Sequence, residues 1–370
     1  MRKSLRWCRL TGVVFFAASL VGGGCRGAPP SVTPASPTPS PTTTATVEPT
    51  LPAVDPGPTP FVENPEPPST FASAELREGV SAETYLPDSC EFLRLRWDPE
   101  GSAPGTVVLP IMYHSLREPD NMLHDGVTVS TEYFEATIRR AQELGFQTIT
   151  IEDLEAFLIR NARIPSRSMI FIVDDRFPGA VAEYILPAIE TLDWTVTLAW
   201  PIGDTRDPLW RTMEGLAGSG RLDVQSHGFR HEYITETWSD AAIREEVAGG
   251  LSILEAHFGR RPTAFVWPGG NFTRRSVEIA REEGYRLGFT ASSRGPLLFN
   301  WIPLGDPERA VQDPLMVLPR AWSPSAIVNL EHAVRIGEQA AAHAEAAFPE
   351  EAAWYRANCE GERGAGLPSP

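Results

Sequence analysis

From Thr106 onward, short apolar runs alternate with amphipathic stretches of helical period, and this alternation is what most limits the folds open to the chain. The runs "TVVLPIMYH" (106–114), "FQTITI" (146–151), "SMIFIVDD" (168–175), "TVTLAWP" (195–201), "RLDVQSHG" (221–228), "TAFVWPGG" (263–270) and "YRLGFTAS" (285–292) predict strands. Helices are predicted between them. "TEYFEATIRRAQELG" (131–145) sets Phe134, Ile138 and Ala141 on one face, and "EDLEAFLIRN" (152–161) follows. "PGAVAEYILPAIETL" (178–192) carries Pro187 inside, the long "SDAAIREEVAGGLSILEAHFG" (239–259) is capped by Ser239 and closed by Gly259, and "TRRSVEIAREEG" (273–284) is the last of the series. Repeated βα units of this length indicate a parallel sheet or barrel with helices outside it. At 370 residues and 42% hydrophobic content, the chain can bury the core that such a layer needs.

The polar residues of these runs fall at one kind of place. Tyr113 with His114, Asp174 with Asp175, His227 with His231, and Trp267 to Gly270 each close a predicted strand. In parallel α/β architectures those ends gather on one face, where active sites are built. Two adjacent carboxylates ending a buried strand repel each other unless a cation neutralises one of them. "HGFRH" supplies two imidazoles four residues apart that join Asp175 as a familiar ligand set for a divalent metal with open positions. Taken singly, an Asp-Asp pair also reads as a turn or cap, and a spaced His pair as two surface histidines. The joint pattern, in a chain with only seven histidines, is what points to a metal.

The N-terminus reads as an export signal over residues 1–25. "MRKSLRWCRL" is a basic region, "TGVVFFAASLVGGG" a short apolar one, and Cys25 follows. Two readings stay open: a lipoprotein with a diacylglycerol on Cys25, and plain cleavage with secretion, since Gly22 stands where such lipid sites usually carry Leu. Both place the mature protein outside the cytoplasm. Residues 26–75 are rich in Pro, Thr, Ser and Ala and predict a disordered linker, because so little apolar surface cannot offset chain entropy. Cys90 and Cys359 flank the predicted fold, and an oxidising compartment leaves open both a disulfide between them and two free thiols. The formal charge of −16, with no cluster of Lys and Arg, argues against nucleic acid and anionic lipid, so membrane contact is expected only through an anchor at Cys25. "SAIVNLEHAVRIGEQAAAHAEAAF", after Pro324, predicts a helix that packs on the domain, and the protein is expected to be a monomer.

Over roughly Val107 to Trp322 the chain resembles the polysaccharide deacetylases, the NodB-homology or carbohydrate esterase family four. "FIVDDRF" stands where that family has its TFDDGY-like motif, "SHGFRH" where it has H-[ST]-x-x-H, and "TAFVWPGG" where it has a PYG-type motif. "VLPIMYHSL" and "VSTEYFEATIRRAQELGFQTITIEDL" are similar to the front of the branch that deacetylates poly-N-acetylglucosamine. The resemblance implies an α/β fold, a distorted (β/α) barrel of about seven strands over 106–322. An N-terminal extension at 76–105 precedes it, and a C-terminal helix and tail at 323–370 follow. It also implies hydrolysis of N-acetyl or O-acetyl groups on a cell-surface or cell-wall polysaccharide. By position it gives Asp175, His227 and His231 to a divalent metal, Zn²⁺ first, and makes Asp174 the general base toward the attacking water. The late "LH" motif that usually supplies the acid is absent from "PLMVLPRAW", and in the permuted branch the role falls to a His at the front, here His114. The backbone N–H of Gly269 is expected to face the oxyanion.

Three positions depart from the motifs: Arg176 stands for Gly, Gly228 for Ser or Thr, and Gly269 for an aromatic. Arg176 either orients Asp174, grips an anionic substrate or obstructs the groove. Arg320, in "LPRAW", is a second candidate to pair with Asp174, and an ordinary structural role stays open for both arginines. Phe299 and Trp301, in a late loop, either stack on sugar rings or cover local core. Two function classes therefore stand. The first is an active metal-dependent deacetylase, favoured because every ligand and both acid–base candidates are present; the second is a carbohydrate-binding module of the same fold that has lost turnover.

Overall fold

The computed structural model describes residues 68, 70–123, 125–359 and 367. The expected signal with Cys25, and the expected linker up to residue 67, lie outside the described residues. Eight strands matter for the site: β1 (Val107–Tyr113), β2 (Gln147–Thr148), β3 (Arg167–Asp174), β4 (Val196–Trp200), β5 (Leu222–Ser226), β6 (Ala264–Val266), β7 (Leu287–Phe289) and β8 (Ala321–Trp322). β1 is buried at every position and β3 at all but its first, as strands covered on both faces must be. They pair in parallel in the order β7-β6-β5-β4-β3-β1-β8, and β2 lies beside the start of β3. Leu318 also bridges Phe289 in parallel, giving its N–H to Gly288 O at 2.8 Å. The segment 318–322 thus reaches both edges of the curled sheet, and the expected distorted (β/α) barrel of seven main strands is the observed architecture.

Helices cover the outside: α1 (Ser89–Arg96), α2 (Thr131–Glu143), α3 (Ile151–Arg160), α4 (Asp207–Ala217), α5 (Asp240–Ala248), α6 (Leu251–Phe258), α7 (Arg274–Glu282) and α8 (Ala326–Asn358). Local chemistry sets their starts. Thr150 and Asp153 form a capping box ahead of α3, and Ser239 accepts the Ala242 N–H at the start of α5. α2 buries Phe134, Ile138 and Ala141, the face its sequence sets toward the core.

Several elements differ from expectation. The single helix predicted over 239–259 is two, because a Cβ on Gly250 would strike Ile202 and one on Gly249 would crowd Phe229. The chain breaks where its backbone must come close to those two loops. Around Pro187 the segment Pro178–Leu192 divides into short turns, one of them a π turn at Val181–Ile185. α8 continues through Pro349 and ends ten residues beyond the predicted stretch. Residues 70–75, counted with the linker, lie on the fold: Trp301 gives its indole N–H to Phe71 O at 2.9 Å, and Glu75 accepts from Arg335 and Gln339 of α8. Cys90 and Cys359 are joined as a disulfide with a Cα–Cα distance of 5.7 Å, closing 269 residues of separation. Among the described residues no helix is long and apolar enough to cross a membrane.

Candidate active site

The strand order brings the polar strand ends together. β3 lies between β1 and β4, and β5 and β6 follow, so His114, Asp174, Asp175, His227 and the Trp267–Gly270 turn stand along one edge of the barrel. Asp174 is buried, 2% exposed. Its Oδ1 accepts from Arg320 Nη1 at 2.6 Å and its Oδ2 from Arg320 Nη2 at 3.0 Å, a bidentate fork. Arg320 is itself 1% exposed and gives its Nε–H to Thr290 O at 2.8 Å, so the guanidinium has one orientation available. Burial pushes the Asp174 carboxyl up, but Arg320, His227 and His114 together outweigh it and hold the group below the usual carboxylate range. On its open side, Oδ2 lies 3.9 Å from His227 Nε2 and 4.0 Å from His114 Nε2.

Asp175 turns away from its neighbour because its backbone is left-handed, φ 66°. Oδ1 thereby comes 3.1 Å from His231 Nε2 and 3.6 Å from His227 Nε2. The three donor atoms lie within 4.8 Å of one another, and no other group of three or more such donors occurs among the described residues. His227 Nδ1 lies 2.8 Å from Val266 O; the carbonyl can only accept, so the ring proton sits on Nδ1 and the Nε2 lone pair faces Asp175. Burial holds the His227 imidazole below its ordinary pKa, against the raising effect of Asp174 and Asp175. Two imidazoles and a carboxylate, with Asp175 and His231 half-exposed, fit a divalent cation that keeps positions for water and substrate.

Residues 162–288 match the family model described as polysaccharide deacetylase. That segment, about a third of the chain, is similar to the polysaccharide deacetylases. The fold agrees: the Streptococcus pyogenes deacetylase PplD, solved in complex with acetate, superposes with a TM-score of 0.51 at 17% identity, covering 62% of this chain and 98% of that one. A de-N-acetylase from Aggregatibacter actinomycetemcomitans superposes with a TM-score of 0.50 at 13% identity, over 60% of this chain and 99% of that one. The Bacillus subtilis protein YxkH, provisionally named a polysaccharide deacetylase, is 21% identical over 186 residues, 49% of this chain. The chain spans 64% of that relative's length.

Within the barrel the eight expected site residues separate. Asp174, Asp175, His114, His227, His231 and Arg320 form one cluster. Arg176 does not join it. Its Nε and Nη2 give hydrogen bonds to Pro201 O at 3.1 and 3.0 Å, and Nη2 also reaches Gly203 O, so these groups hold the loop after β4 and not the Asp174 carboxylate. The fork from Arg320 fills the position that Arg176 was expected to contest. Gly269 lies in the turn after β6 with φ 62°, and a Cβ there would come 2.8 Å from the Tyr233 ring. Tyr233, 55% exposed, lies edge-on to His231, so its ring occupies the space beside position 269 where the motif carries an aromatic. Trp301 is buried and Phe299 packs on Phe92 and Phe157, so both cover core.

Sequence reasoning missed Glu246. Its carboxylate is buried behind the His227–His231 turn, where Oε2 accepts the Arg230 N–H at 2.9 Å and Oε1 the Glu232 N–H at 3.1 Å. The available signal was its spacing. Glu246 lies three residues after Ile243 and one before Val247, on the buried face of α5, where an unpaired carboxylate is not expected.

Proposed function

We propose that this domain is an exported, metal-dependent hydrolase that removes N-acetyl groups from a cell-surface or cell-wall polysaccharide, in the manner of the poly-N-acetylglucosamine branch. The observation that carries it is Asp174, ionised in the Arg320 fork, with His114 and His227 Nε2 atoms 4.0 and 3.9 Å from one oxygen and the Asp175, His227, His231 donor set alongside. Those three side chains would hold the cation, Zn²⁺ first, which supplies Lewis-acid activation of the attacking water and of the acetyl carbonyl. Asp174 takes a proton from the water as its oxygen bonds to the carbonyl carbon. Because Arg320 lowers its basicity, the carboxylate's larger contribution is orientation. His114 then gives a proton to the sugar nitrogen as the C–N bond breaks, releasing acetate and the free amine; an unprotonated amide nitrogen would leave very poorly. The Gly269 N–H is the candidate backbone donor to the oxyanion. O-acetyl esters are alternative substrates of the same site, and their alkoxides need the acid less.

The Cys90–Cys359 disulfide supports action outside the cytoplasm, as does the signal-like N-terminus, with an anchor at Cys25 as the proposed membrane link. The partner is the acetylated polymer, met by a monomer. The test is acetate release from chitooligosaccharides, peptidoglycan and acetylxylan, with and without a chelator. Release that stops on chelation and returns with Zn²⁺ is expected, and Asp174→Asn should keep the metal and lose most turnover. Metal-bound wild-type protein that binds these polymers yet frees no acetate would make it a binding module instead.

A further inference from the structure

Two departures from the family motifs, Arg176 for Gly and Gly228 for Ser or Thr, meet at one turn, Gly228 within it and Arg176 bonded to the loop behind it. The turn Ser226–Glu232 carries both candidate imidazole ligands, and it includes two left-handed residues, Gly228 at φ 83° and His231 at φ 63°. Few residues other than glycine take that conformation, and although His does so more readily than most, the surrounding bonds here define it. On the outer side the constraint is Glu246. Its backbone oxygen accepts the Phe229 N–H at 2.8 Å and its carboxylate accepts the Arg230 and Glu232 N–H groups, so three amides of the turn end on one residue. A Cβ at position 228 would overlap Glu246 Oε1, so a Ser or Thr there would push this carboxylate out of its present position.

The inner side is the loop after β4. His227 N–H bonds Trp200 O at 3.0 Å, Ile202 N–H bonds Gly228 O at 3.1 Å and Gly203 N–H bonds Phe229 O at 2.6 Å. Arg176 holds that loop by the carbonyls of Pro201 and Gly203. A glycine at 176 has no side chain to do so. Arg176 also follows Asp175 directly, so it ties the strand end bearing the third donor to the loop that backs the other two.

We propose that Arg176 and Glu246 form a two-sided brace that fixes Asp175, His227 and His231 in ligating geometry, the two motif departures compensating for one another. Both are positioning residues: neither reaches the donor atoms, and each acts through backbone groups that carry them. The proposal rests on the metal reading above.

The test measures Zn²⁺ affinity by chelator competition and the visible spectrum of the Co²⁺-loaded protein, with the melting temperature of the metal-free protein as a control. Glu246→Gln removes one of two acceptors and Arg176→Gly restores the motif residue. Each is expected to weaken Zn²⁺ binding roughly 10–100-fold and to alter the Co²⁺ bands, the range seen when groups that orient metal ligands are lost. Because both sides hold the same turn, the double variant should lose less than the product of the two single losses. Gly228→Ala, which displaces the Glu246 carboxylate, should reproduce the Glu246→Gln effect in folded protein. Unchanged affinity and spectrum in Glu246→Gln and Arg176→Gly, with only the melting temperature lowered, would overturn the brace and leave the metal reading intact. Wild-type protein that binds neither ion would overturn both.

Discussion

Of the groups that hold Asp174 ionised, Arg320 acts most strongly. In Arg320→Met the carboxylate stays buried but loses both forks, and breaking a buried pair in this way should cost about 3–5 kcal/mol. The sign of the pH effect follows from the shift. With Arg320 present the folded-state value is depressed, so the group adds stability above the ordinary carboxylate range and loses it as pH falls through the depressed value. Without Arg320, burial dominates and the acid limb of kcat/KM for acetate release should move to higher pH, leaving the variant most impaired under mildly acidic conditions. His114 differs from His227 in having a buried Nδ1 with no hydrogen-bond partner, so its tautomer is not set by a carbonyl. His114→Ala should retain fold and Zn²⁺, lower amide deacetylation roughly 10²–10⁴-fold, spare ester cleavage more, and remove the alkaline limb of the profile. Loss of metal in that variant would make His114 structural. The site's donors were legible because each ends an apolar run and the strand-end rule gathers such residues on one face. Which arginine served Asp174 was not legible, since Arg176 is adjacent in sequence and Arg320 lies 146 residues away.

At the scale of elements, β1 and β3 were readable from unbroken apolar runs longer than any turn could hold. α4 was not, because "DPLWRTMEGLA" carries Pro near its start and Gly near its end and follows a loop sequence. The Gly249–Gly250 break was also hidden, since two glycines inside a strong helical period signal a weak point but not the tertiary contact that demands them. Gly250→Ala tests that contact. Its methyl group would enter the Ile202 side chain, and an overpacked site of this kind should cost about 1–3 kcal/mol. Trimming the neighbour, as Gly250→Ala with Ile202→Ala, should recover part of the loss relative to Ile202→Ala alone; no recovery in the melting temperatures would mean the break has another cause.

For the molecule as a whole, the disulfide is the longest covalent closure in the described fold. Cys90 follows the N-cap of α1 and Cys359 ends α8, with Leu93, Trp97, Ala344 and Tyr355 packed around them. Replacing both cysteines by Ala should lower stability by roughly 2–5 kcal/mol, read by denaturant unfolding, while acetate release per folded molecule stays unchanged, because the bridge touches no site residue. A loss of turnover at full folding would show that the clip does more than close the chain. The same end of the barrel receives the described N-terminal residues. Phe71 rests on Trp301, whose loop pairs with Val108 at the start of β1, and Glu75 is tied to α8. His114 stands at the other end of β1, about 20 Å away at roughly 3.3 Å per strand residue. A pull on the chain at residue 70 is therefore borne first by the Phe71 and Glu75 contacts with Trp301 and α8, and reaches β1 only at its Val108 end. In mechanical terms the load path runs across the floor of the barrel, and the six clustered side chains at its mouth sit outside it.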